Sequence, residues 1–156
     1  MIIINLFNKK PKINKHFIYL FSMSKKIFVA GAGGFIGGHI VKELMKRGYE
    51  VKAADIKPFN EWFQMFDGAM NYERDLSDKN SCYEMVDGCD EVINMACNMG
   101  GMGFIENNKA ECMQSVLINT NLLIACKENK IKKYFFSSSA CAYNKTKQQE
   151  VFIEGL

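Results

Sequence analysis

From Lys26 onward, apolar residues follow two alternating rhythms: short unbroken runs, and stretches whose apolar positions recur every three or four residues. KIFVA, residues 26–30, is a brief apolar run ending in glycines, as a strand buried on both faces of a parallel sheet should read. Phe35 to Arg47 then places Ile36, Ile40, Val41, Leu44 and Met45 at helical spacing, and Gly48 supplies the stop. EVKAAD (50–55) predicts a second strand and MNYERDL (70–76) a weaker third. Ser81 to Val86 predicts a short helix, and EVINMA (91–96) a fourth strand. Asn107 to Asn129 carries Ala110, Met113, Leu117, Asn121, Ile124 and Ala125 along one side, a long helix. KKYFFSSS (132–139) predicts a fifth strand. Strands alternating with helices in this way indicate an α/β domain with a doubly wound parallel sheet.

The chain's 156 residues are enough for one domain with a real core. Its formal charge of +3 hides an asymmetry. Residues 1–26 carry six lysines and no acid, so the remainder holds 14 Lys and Arg against 17 Asp and Glu, a net of −3. A mildly acidic body gives no support for nucleic-acid binding. The apolar runs Met1–Phe7 and Phe17–Phe21 are too short for the roughly 20 residues of a membrane span. Residues 1–22 are therefore expected to be a disordered extension, with the domain running over 23–156. Six cysteines, at 82, 89, 97, 112, 126 and 141, form no C-x-x-C pair, and the histidines are only His16 and His39. No metal site is expected, and the cysteines read as reduced thiols in a cytoplasmic protein.

Candidate chemistry begins at GAGGFIG, Gly31 to Gly37, between the first strand and the first helix. Glycines at 31, 34 and 37 allow a tight turn, bare backbone for a pyrophosphate, and close packing of helix on strand. The helix start at Phe35 and Ile36 offers free N–H groups and a positive dipole end to phosphates. Asp55, at the end of the second strand, stands where a carboxylate accepts hydrogen bonds from the adenosine ribose. A 2′-phosphate would meet that carboxylate as like charge, so the expected cofactor is NAD, with Lys57 tempering the preference.

With these residues in place, the sequence resembles the extended short-chain dehydrogenase/reductases, the Rossmann-type nucleotide-sugar epimerases and dehydratases, over about residues 25–145. RDLSD (74–78) is similar to the family's Asp-Leu after the third strand, which implies that Asp75 bonds the adenine amino group and Leu76 covers the ring. INMAC (93–97) resembles the cofactor-lining Asn-Leu-Ala-Ala stretch, which places Met95 and Ala96 on the cofactor. NMGGMGFIENN (98–108) and SSSAC (137–141) closely resemble the GDP-mannose 3,5-epimerase family. That resemblance implies that Gly100 and Ser139 border a GDP-sugar and that Cys141 is the base that takes ring protons. GDP-mannose would be the substrate and GDP-L-galactose the product, with a possible homodimer through the long helices and no membrane or nucleic-acid partner.

Cysteine suits such a role chemically. Oxidation of the sugar at C4 acidifies the hydrogens at C3 and C5, and a thiolate near a cation can remove them at neutral pH. Tyr143 and Lys147 also form a Tyr-x-x-x-Lys, the spacing that lets an ammonium lower a tyrosine's pKa on a helix. They follow the fifth strand too closely to match the family's pair, so the spacing reads as coincidence. The family's own pair, its last strands and its sugar-nucleotide domain would lie past Leu156. The expectation is an NAD-binding portion, a fragment incomplete for catalysis by itself. The other readings are a non-catalytic NAD-binding module and a fragment of another extended-family dehydratase or reductase.

Overall fold

A computed structural model describes residues 24–98 and 102–138. Five strands form one sheet in the order β3-β2-β1-β4-β5, and every neighbouring pair is parallel. They are β1 (Lys26–Ala30), β2 (Glu50–Asp55), β3 (Met70–Glu73), β4 (Glu91–Asn94) and β5 (Lys133–Phe136). The helices are α1 (Phe35–Lys46), α2 (Lys79–Val86), α3 (Met102–Asn107) and α4 (Lys109–Glu128), with one 3-10 turn at Phe59–Glu61. The doubly wound sheet expected from the sequence is the one observed.

β1 sits in the middle because it is apolar on both faces. Val29 packs with Val41, Val51, Ala53, Trp62 and Ala69 on the α1 side. Phe28 and Ala30 pack with Met85, Val86, Leu122, Ala125 and Cys126 on the side covered by α2 and α4. α1 ends as its glycine predicts: Gly48 takes φ +81°, and Tyr49 N–H donates to the Leu44 carbonyl. α4 ends with the same pattern, Ile131 N–H on the Cys126 carbonyl, but Lys130 occupies the left-handed position at φ +56°. α2 starts two residues earlier than its pattern suggests, because Asp78 caps it by accepting from Ser81 N–H at 2.9 Å. Its other end is held from the sheet: Lys52 Nζ donates to the carbonyls of Glu84, Met85 and Asp87.

The structure departs from expectation elsewhere as well. β3 and β4 end at Glu73 and Asn94, before 76 and 96, because side chains divert the backbone. Asp75 accepts from Ser77 N–H at 2.8 Å, and Asn94 accepts from Ala96 N–H at 3.0 Å. The long helix starts at Lys109, preceded by the separate α3, because Asn107 and Asn108 bond their side chains back to the carbonyls of Gly103 and Phe104. Finally, the apolar side read along α4 faces outward except at Ala125. Met113 is 62% exposed and Leu117 48%, while Leu122, Ala125 and Cys126 face the sheet. The helix is apolar on both sides, so its pattern alone could not say which side meets the core.

Candidate functional site

Parallel strands deliver their following loops to one edge, and here the C-terminal ends of β1, β2 and β4 lie side by side. The strand order reverses between β1 and β4, the kind of switch point at which open α/β sheets bind ligands. The glycine turn fills the middle of that edge. Gly31 and Ala32 both donate their N–H to the Ala54 carbonyl, at 2.8 and 3.0 Å, which folds the turn back onto β2.

Glycine is demanded here by close approach. Gly31 has φ +77°, and a Cβ on it would lie 2.7 Å from the Ala96 nitrogen. A Cβ on Gly37 would run into the Gly31 carbonyl, so this glycine sets helix against turn. Gly34 differs: its Cβ would have only the Gly31 oxygen nearby, at 3.3 Å, and open space beyond. Gly34 is also the N-cap of α1, with no side-chain cap and no acid in the first turn. The amides of Phe35, Ile36 and Gly37 therefore open the helix without intrahelical partners. Open backbone at Gly34 and an uncapped helix start suit a pyrophosphate. The residues present fit a dinucleotide.

Asp55 is 8% exposed and already organised. One carboxylate oxygen accepts from Gly33 N–H at 3.0 Å and the other from Lys57 N–H at 3.1 Å. Each oxygen keeps a further lone pair for a ribose hydroxyl. Asp75 is exposed at the end of β3, whereas Leu76 is 3% exposed and packs in the core on the α2 side. Met95 and Ala96 are half-buried beside Gly31. Partial burial pushes the neighbouring Cys97 thiol up, away from a thiolate at neutral pH. Gly31, Gly34, Phe35, Ile36, Gly37, Asp55, Met95 and Ala96 thus meet along one edge. Gly100, Ser139, Cys141, Tyr143 and Lys147 lie outside the described residues.

Sequence reasoning missed the strap over 56–69. Trp62 N–H (Nε1) donates to the Lys57 carbonyl at 2.9 Å, and Phe63 N–H to the Gly33 carbonyl at 2.9 Å. A Cβ on Gly33 would lie 2.8 Å from the Trp62 indole, so this fourth glycine serves the tryptophan. Phe63 then stacks edge-on against Phe35 at 4.7 Å between ring centroids. The available signals were Gly33, a glycine beyond the 31/34/37 triplet, and the chain's single tryptophan in a stretch with no assigned element.

Comparison with known proteins adds three findings. The profile described as "NAD dependent epimerase/dehydratase family" matches residues 27–155, past the 145 at which the resemblance fades in the sequence. GDP-mannose 3,5-epimerase 1 of Oryza sativa subsp. japonica is 39% identical over 132 residues, 82% of this chain and 34% of that protein. GDP-mannose 3,5-epimerase of Arabidopsis thaliana is 39% identical over 131 residues, 83% of this chain and 34% of its own length. The chain thus spans about a third of the length of these curated relatives. Among solved structures, UDP-glucose 4-epimerase of Thermus thermophilus in complex with NAD superposes with a TM-score of 0.65 at 26% identity, over 73% of this chain and 37% of that one. MoeE5 in complex with UDP-glucose and NAD gives 0.66 at 26% identity, over 76% of this chain and 38% of that one.

Proposed function

The chain belongs to the NAD dependent epimerase/dehydratase family, with NAD as its cofactor, and we propose that it forms the NAD-binding part of a GDP-mannose 3,5-epimerase. The observation that carries the substrate is the likeness to the plant GDP-mannose 3,5-epimerases, at 39% identity. In this reading residues 23–156 contribute the dinucleotide site, and a sugar-nucleotide part completes the enzyme.

NAD, when bound, supplies reversible hydride acceptance at the sugar's C4. Beside it, the chain's own residues take the following parts. Asp55 orients the adenosine ribose, the first turn of α1 holds the pyrophosphate, and Asp75 meets the adenine. Cys141 takes the C5 and C3 protons that the C4 ketone acidifies, with Ser139 and Gly100 against the sugar nucleotide. The outward face of α4, with Met113, Val116, Leu117 and Ile124 exposed, supports a homodimer built on this helix. The free cysteines 82, 89, 97, 112 and 126 support a cytoplasmic setting.

The test is a chimera in which residues 24–156 replace the corresponding third of the Arabidopsis thaliana relative. With NAD and GDP-mannose in deuterated water, it is expected to exchange hydrogen at C5 and C3, and the Cys141→Ser form to lose that exchange. A chimera that binds NAD and exchanges neither carbon overturns the substrate reading.

A further inference from the structure

Three polar side chains from three elements converge beneath the end of β4, in a region otherwise packed with apolar groups. Asn94 of β4 is 1% exposed. Its Nδ2 donates to the Tyr134 hydroxyl of β5 at 3.0 Å and to Asn119 Oδ1 of α4 at 3.3 Å. The Tyr134 hydroxyl in turn donates to Asn119 Oδ1 at 2.8 Å. Burying Asn94 and half-burying the other two costs free energy that an apolar trio would not, so the network's use lies in what it orients.

What it orients is the backbone after β4. Asn94 Oδ1 accepts from Ala96 N–H at 3.0 Å. A backbone N–H can only donate, so this contact requires the amide oxygen to face Ala96 and the NH2 group to face Tyr134 and Asn119. Tyr134 fits that demand because it accepts from Asn94 while donating onward. Burial pushes its phenol up to about 12, so the donated proton is present at neutral pH. The bend that follows brings Ala96 against Gly31, the contact that forbids a side chain there. Ser115 of α4 fixes the far end by accepting from Asn98 N–H at 3.0 Å.

We propose that Tyr134 and Asn119 are positioning residues: through Asn94 they set the Met95–Cys97 backbone against the half of the dinucleotide that lies over β4. The proposal rests on the NAD-binding reading. With Asp55 of β2 at the adenosine ribose, the dinucleotide crosses the switch point, and its nicotinamide half lies toward β4 and β5. The network therefore acts on the nicotinamide half and leaves the ADP half to the glycine turn and Asp55.

The experiment titrates the full 156-residue chain with NAD and, separately, with ADP, which lacks the nicotinamide riboside. Tyr134→Phe, which removes one oxygen, and Asn119→Ala, on a half-buried helix position, are measured beside the wild type. Each variant is expected to lose about fivefold to tenfold in NAD affinity, the scale of one net hydrogen bond, with ADP affinity held within about twofold. Equal losses for both ligands would mean a purely structural role, and unchanged NAD affinity in both variants would mean none; either overturns the proposal. A wild-type chain that binds neither ligand overturns the NAD reading itself, an outcome distinct from both.

Discussion

The two ends of the sheet are built from different materials. At the N-terminal end, charged side chains pair across strands: Lys25 with Glu91 at 2.8 Å, Lys132 with Asp90 at 2.7 Å, and Lys26 with Glu50 at 3.4 Å. Asp90 also accepts from Lys26 N–H, which ties β1 to the entrance of β4. At the C-terminal ends of β1 and β2 lie bare turns, an uncapped helix start and one buried carboxylate whose partners are backbone amides. At the closed end those charges are already committed to one another. An end whose amides and lone pairs stay open can receive a ligand, at some cost in stability.

The sharpest way to break this contrast is to add a single methyl group at the open end. Gly37→Ala would drive a Cβ into the Gly31 carbonyl, which cannot rotate away. We expect about 1–3 kcal/mol of lost stability and no measurable NAD binding, read by thermal denaturation and titration. Near-wild-type binding would show that the turn is looser than its contacts indicate.

Asp55→Ala should come next. It removes the acceptor of Gly33 and Lys57 N–H together with the ribose contact. NAD affinity should fall by about 1.5–3 kcal/mol, and NADP affinity by less, because the lost carboxylate had repelled the 2′-phosphate. Equal losses for the two cofactors would count against Asp55 as the discriminating group.

How far these ends could be read from the sequence differs for physical reasons. β1 and α1 were legible because a parallel strand buried on both faces is a continuous apolar run, and because Gly48 marks a helix end in αL. The glycine turn and Asp55 were legible because their spacing follows from one strand–turn–helix unit. The strap was not, since its course depends on Trp62 meeting Gly33, distant in sequence. Nor was the orientation of α4, whose two faces are equally apolar. The network of Asn94, Asn119 and Tyr134 joins three elements, so no local pattern announces it.

The closed end offers a smaller, pH-dependent effect. Hydrogen bonding to Lys132, and then to Lys26 N–H, holds the Asp90 carboxyl below its ordinary value. A depressed carboxylate contributes stability that is fully present above its unfolded value, near 4, and is lost as pH falls through the folded one. Asp90→Asn should therefore lower the melting temperature by about 2–5 °C at pH 7, and the gap should narrow as the medium is acidified below about pH 4. A gap that persists in acid would assign the loss to packing. NAD affinity should not change.

The smallest effect belongs to neither end. Lys130→Gly relieves a side chain held at φ +56° in the same terminating motif that Gly48 serves for α1. It should stabilise the fold by about 0.5–1 kcal/mol in denaturant melts, without touching ligand binding.

The placing of β1 between β2 and β4 also sets a timetable for synthesis. On the ribosome β1 emerges first, and β2 can join it once Asp55 has cleared the exit tunnel. Its other neighbour, β4, is not complete until Asn94 has been made. At about 5–20 residues per second, the nascent chain spends on the order of 2–8 s with Ile27, Phe28 and Val29 on an open strand edge. Over that interval the growing chain carries an unpaired apolar strand edge, and slow codons between Ile56 and Asp90 would lengthen the exposure.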